Sequence, residues 1–248
     1  MGFAFRSDAV EVGDRVVARR EYASGVKSDV IGHVQSLDPL VIRPQQVGGY
    51  PSDKEAVEIA PGELKIIKKL SPRTIRNSDI RHVEEAIANA YTEAHQRWSA
   101  DGQWLMRASG SVPLGPSAGF TPMPATEILD HAGPRLLLPE RIGKNGLPHS
   151  RPVGPELVCY VGELPDDGSA EDPDTAPAAL GTAGDDTVWV VVPTAPASAA
   201  EPPDTLRWGR AQGATRAVVV LEVPDAAARA IAAECGLDEH HRRRFATL

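Results

Sequence analysis

The residues of this chain best equipped for chemistry lie near its end. His240 and His241 are followed at once by Arg242, Arg243 and Arg244. Such a run could hold a metal, a phosphate or an acidic partner. Side chains of adjacent residues on a strand point to opposite faces, so the two histidines are not expected to grip one ion, and no metal site is expected. A partly exposed final strand is the expectation. Cys159 and Cys235 each sit in an apolar segment and read as buried thiols, with a disulfide or a nucleophile as the alternative. Glu84 and Glu85 are neighbours on a helical pattern, so they diverge and make no carboxylate pair; both read as solvated surface. Ser109, Ser111 and Ser117 lack the G-x-S-x-G setting of a hydrolase nucleophile. Arg141 to Gly146, "RIGKNG", carries two glycines and two cations but no P-loop pattern, and reads as a turn. Asp166-Asp167 and Asp185-Asp186 lack an EF-hand pattern and read as solvated loop.

Overall charge narrows the choice of ligand. The 248 residues carry a formal net charge of −8, which makes a nucleic-acid partner unlikely on electrostatic grounds. No apolar run has bilayer length, so no membrane association is expected. The opening "MGFAFRSDAVEVGDR" has no apolar signal core, and Gly2 alone is a weak myristoylation cue, so a cytoplasmic location is expected. With 42% hydrophobic and 24% charged residues, the chain has the composition of a globular protein.

The elements that must position these residues fall into two blocks. Residues 8–72 contain five short Val/Ile-rich segments, separated by Asp38-Pro39, Gly48-Gly49-Tyr50-Pro51 and Pro61-Gly62. That spacing predicts a small SH3-like β-barrel. In the second segment Val30, Gly32, Val34 and Ser36 share one side. Residues 74–248 form the second block. A helix is predicted there with Ser78 as N-cap, Asp79 in its first turn and an apolar stripe of Ile80, Val83, Ile87 and Ala90. "DGQWLMRASGS" predicts a strand with Trp104 and Met106 on one side. An extended segment near Phe120, a short helix over Thr126–His131, and strands in "RLLLPE", "ELVCYVGEL" and "TVWVVVP" follow. The acidic, Pro/Ala/Gly-rich residues 163–186 predict a mobile loop or insert.

Taken in order, "VGDRVVARREY", "SDVIGHVQSLDPLVIRP", "EAVEIAPGELKIIKKL", "RTIRNSDIRHVEEA", "DGQWLMRASGS" and "RWGRAQGATRAVVVLEVPDAAARAIAAECGLDEHHRRRF" resemble an actinobacterial group of GNAT N-acetyltransferases. That group has an SH3-like domain ahead of the catalytic domain, and its members are described as N-acetylglutamate synthases or histone-acetyltransferase-like proteins. The resemblance implies an α/β (α+β) fold: an SH3-like β-barrel at 8–72, then a divergent GNAT-like mixed sheet flanked by helices at 74–248, interrupted by the insert at 163–186. It implies acetyl-CoA as cofactor and an amine, such as glutamate, as acceptor.

The resemblance also names positions. Its coenzyme A loop is an Arg/Gln-x-x-Gly-x-Gly/Ala turn between splayed strands, whose amides meet the pyrophosphate at a helix N-terminus. Here the corresponding loop, "TAPASAAEPPDT", has neither glycine nor basic residue, and Pro196, Pro202 and Pro203 lack amide donors. No Lys or Arg occurs from Pro152 to Leu206. If coenzyme A binds, the matching residues are Val191, Val192, Ala195, Ala197, Ser198 and Ala199. The family's last helix begins near an Asn and carries a proton-donating Tyr about seven residues on. Asp225 and Ala232 stand at those positions. Two functions are therefore carried forward: a non-catalytic binding or regulatory descendant with a protein partner, and an active acetyl-CoA-dependent N-acetyltransferase acting by proximity. In neither is a residue assigned as the catalytic base.

Overall fold

A computed structural model describes residues 6, 8–117, 125–132, 135–141, 150–164, 178–184, 186–193 and 202–248. The segment around Phe120 and most of the 163–186 stretch lie outside these residues, as does all of "RIGKNG" except Arg141. The chain is a mixed α+β protein dominated by sheets. It divides into two units, Arg6–Ile75 and a second that contains Arg76–Leu248.

In the first unit the five Val/Ile-rich segments are strands: β1 (Arg15–Glu21), β2 (Lys27–Leu37), β3 (Leu40–Pro44), β4 (Val57–Ile59) and β5 (Leu64–Lys69). They form one antiparallel sheet of order β4-β3-β2-β1-β5. The period-two pattern does what it should. Val30, Gly32 and Val34 of β2 are buried while Ile31 is exposed. Val30 and Val34 join Val16, Ala18, Leu40, Ile42 and Ile59 in the core.

The second unit begins with α1 (Asn77–Ala90). Its cap is Arg76 rather than Ser78. The Asp79 carboxylate reaches back to accept from the Arg76 amide at 3.0 Å, which fixes the start two residues upstream of the expected cap. Strands β6 (Arg97–Trp98), β7 (Trp104–Met106) and β8 (Val112–Pro113) make a small sheet of their own. Trp104 and Met106 share a cluster with Ile128 of α2 (Ala125–Ala132). Next come β9 (Arg135–Pro139), β10 (Arg151–Glu163), β11 (Ala179–Thr182), β12 (Val188–Val192), α3 (Pro202–Ala211), β13 (Arg216–Glu222), α4 (Ala226–Glu234) and β14 (Asp238–Thr247).

The main sheet has the order β11-β12-β13-β10-β14-β9. Among the described strands of this sheet, only β12 and β13 run parallel, joined by the crossover through α3. Both strands are covered on two faces, which accounts for their unbroken runs "VWVVV" and "AVVV". Val191 and Val218 pack with Val83, Ala86 and Ile87 of α1 on one face. Val190 and Val219 pack with Leu206 of α3 and Ala232 of α4 on the other. Each such side chain contributes roughly 1.5–3 kcal/mol by leaving water.

The predicted insert is corrected at its end. Residues 179–182 are not loop but strand β11, paired with β12 from Ala179↔Val191 to Thr182↔Val188. Alanine and glycine give this edge its purpose, because α1 lies directly against it. A Cβ on Gly181 would sit 2.0 Å from the Ala86 carbonyl oxygen. Gly181→Ala is therefore expected to destabilise the protein by about 1–3 kcal/mol. Gly62→Ala, where a Cβ meets nothing within 4 Å, should change stability by less than about 0.5 kcal/mol. Denaturant titration of both variants measures the contrast.

Candidate functional site

Glu84 is buried, not solvated. It lies four residues after Ile80 and three before Ile87, on the apolar stripe itself. Its side chain is 1% exposed. Helix α1 thereby carries one carboxylate into the interface it makes with the sheet, where an unpaired charge would be prohibitive.

Strand β14 supplies the compensation. His241 Nε2 lies 3.0 Å from Glu84 Oε1, and Arg243 Nη1 lies 3.2 Å from Glu84 Oε2. Both carboxylate oxygens are therefore engaged. His241 also faces Cys159, its partner across the β10–β14 ladder. The ligand atoms of Glu84, Cys159 and His241 all lie within 4.8 Å of one another, and all three residues are buried. The guanidinium of Arg107, itself buried, adds positive potential toward Glu84 while pairing with Glu93 at 3.4 Å.

The two histidines do not simply diverge. The β10–β14 register shifts between Cys159 and Tyr160: His241 pairs with Cys159, but Glu239 pairs with Tyr160. His240 is the extra residue of this β-bulge. The distortion brings His240 Nδ1 to 2.8 Å from His241 Nδ1, with the rings edge to face. The expected opposition of adjacent side chains fails because the bulge breaks the ladder at that residue.

The strand is also less exposed than expected. His241, Arg242 and Arg243 are all buried. Beyond the bulge, alternation resumes. Arg243 turns to Glu84, whereas Arg242 and Arg244 turn to Glu156 at 3.3 and 2.7 Å. Arg242 Nε meets Glu239 at 3.0 Å as well. His241 and the three arginines are thus spent on internal carboxylates, chiefly Glu84 on one face and Glu156 on the other.

Electrostatics inside the cluster follow from these contacts. Burial disfavours the His241 cation, but the Cys159 sulfur and the Glu84 carboxylate outweigh it and raise its pKa from 6.5 to about 9. Burial likewise disfavours the Glu84 anion, yet Arg243, His241 and Arg107 hold its pKa below the usual carboxylate value. With His241 protonated, Nε2–H donates to Glu84 and Nδ1–H to His240.

The remaining candidates are structural. Ser109 donates its hydroxyl to Glu93, which also accepts from the Ala108 amide at 2.6 Å. Glu85 accepts from the Gly184 amide at 3.1 Å. Cys159 is a buried free thiol, and Cys235 is a free thiol that is only partly buried. Asp225 is the N-cap of α4, accepting from the Ala228 amide at 2.9 Å. Ala232 lies in the core, 1% exposed. Val191 and Val192 are buried in the ladder. Val191 sits opposite Ala179 and Val218, and Val192 opposite Val219. Ala195, Ala197, Ser198 and Ala199 lie outside the described residues. Among the described residues, none of these carried-over positions joins the Glu84–Cys159–His241 cluster.

A family model described as "Probable histone acetyltransferase Rv0428c C-terminal" matches residues 161–246. Over that stretch the chain is acetyltransferase-like. The match runs from the end of β10 through β14, and so contains α3, α4 and the histidine–arginine run. No curated protein and no solved structure matches the chain. Among the described residues, no helix is long and apolar enough to cross a membrane.

The cluster makes two measurable claims. Glu84→Gln strands Arg243 and His241 in the interior and should cost about 3–5 kcal/mol in a denaturant titration, while Glu85→Gln should stay within about 0.5 kcal/mol of the parent. The second claim concerns pH. The folded protein holds the His241 proton more tightly than the unfolded chain does. The resulting stabilisation is complete below pH 6.5 and is lost as pH rises to about 9. The denaturation midpoint of the metal-free parent should fall across that window more steeply than that of metal-free His241→Gln.

Proposed function

We propose that this acetyltransferase-like protein is a GNAT descendant with a degenerate acetyl-CoA site, acting as a binding or regulatory protein rather than an enzyme. In this reading the first unit is an SH3-like domain, the ligand is a protein partner, and the protein works in the cytoplasm. The observation that carries the proposal is that β12 pairs with β13 along its whole described length. A coenzyme A cradle of the GNAT kind needs the strands to part so that free amides meet the pyrophosphate. Here the pair remains in register to the last residue of β12, Val192↔Val219.

Two further features support it. The residue in the position of the proton-donating tyrosine is Ala232, which fills a core cluster with Val190, Leu206 and Val219. Helix α3 starts at Pro202-Pro203, so its first turn offers fewer amide donors than an anion site requires. These features argue against acetyl-CoA as a ligand, and no catalytic step is assigned through it.

The competing reading is an active N-acetyltransferase using acetyl-CoA on an amine such as glutamate, and the family match favours it. Calorimetry with acetyl-CoA decides between the two. The expected result is no binding tighter than about 1 mM. A micromolar Kd, or acetyl transfer to any amine, overturns the proposal. Ala232→Tyr should restore no activity and should destabilise the protein by about 1–3 kcal/mol, since the ring has no space in that cluster.

A further inference from the structure

We propose that Glu84, Cys159 and His241 form a buried site for a zinc-class divalent cation that ties α1 to the main sheet. The donor set is one thiolate sulfur, one imidazole nitrogen and one carboxylate oxygen, a combination suited to zinc rather than to calcium or magnesium. Tetrahedral zinc with these donors places them about 3.3–3.5 Å apart. The three donor atoms already lie within 4.8 Å of one another.

The surrounding groups are those that hold metal ligands in position. A ligating histidine commonly donates its other ring N–H to a neighbouring acceptor, which fixes its tautomer. The present geometry provides such an acceptor for His241 in the His240 ring. Nε2 faces the cluster, while Nδ1 meets His240 Nδ1 at 2.8 Å. Glu84 is arranged in the same way. Oε1 faces His241, and Oε2 is held from outside by Arg243 at 3.2 Å. The β-bulge therefore has a use, since it delivers His240 to the back of His241.

Glu84 belongs to α1, Cys159 to β10 and His241 to β14, so a bound ion would join three elements that are distant in sequence. Binding displaces the hydrogen that His241 shares with Glu84 and the thiol hydrogen of Cys159; both leave as protons. The three residues are 1%, 0% and 1% exposed, which excludes a bulky substrate and assigns the ion a structural role. Water takes the fourth position. The site shares no residue with the acetyl-CoA positions, so its fate does not depend on the proposed loss of catalysis.

The test uses the full chain, expressed with added zinc and then exchanged into metal-free buffer. Elemental analysis should find one zinc per chain, and cobalt-grown protein should show a thiolate-to-cobalt charge-transfer band. Cys159→Ala should lose both signals, whereas Cys235→Ala should keep them. His240→Ala, which leaves all three ligands in place, should weaken zinc binding about 10- to 100-fold in a chelator competition. The proposal is overturned if the parent protein carries no zinc and shows no cobalt–thiolate band, a reading that needs no variant to fold. It is equally overturned if folded Cys159→Ala, judged by near-ultraviolet circular dichroism, retains its metal.

Discussion

One buried carboxylate organises the larger unit. Helix α1 could pack on the sheet through Val83, Ala86 and Ile87 alone, but it also inserts Glu84 among them. A charge in that position is tolerable only with donors on both oxygens. His241 and Arg243 provide them from one strand, two residues apart on the same face. The helix therefore has a required axial position, because sliding it by a turn would separate the carboxylate from both donors. Apolar packing holds α1 down, while the ionic contacts determine where it sits.

Strand β14 is the counterpart of that constraint. Its two faces repeat one solution: His241 and Arg243 meet Glu84, and Arg242 and Arg244 meet Glu156. A run of basic residues that looks like a ligand surface becomes an internal brace once each face has its own carboxylate. The same economy holds on the α4 side. Asp225 caps the helix and Ala232 fills core space, so both serve the fold.

How much of this was legible depended on how strongly a segment declared its period. The valine runs of β12 and β13, the alternation of β2 and the pairing of Trp104 with Met106 were readable because burial on a given face demands apolar residues there. Strand β11 was not, since "ALGT" is chosen for thinness against α1 rather than for hydrophobicity. Glu84 was misread by residue type, although its place in the i, i+4, i+7 series with Ile80 and Ile87 marked it as inward. The bulge at His240 leaves no local signature at all. It shows only in the β10–β14 pairing, where His241 faces Cys159 and Glu239 faces Tyr160.

The span of the Glu84–His241 contact bears on the order of synthesis. The partners are 157 positions apart, so a chain growing from its N-terminus exposes α1 long before β14 exists. Until then the Glu84 carboxylate has neither of its donors, and docking α1 would bury a bare charge. Local apolar contacts cannot offset that, and long-range closure is intrinsically slow. Docking α1 with Glu84 ionised therefore waits for the final strand, which brings both donors at once.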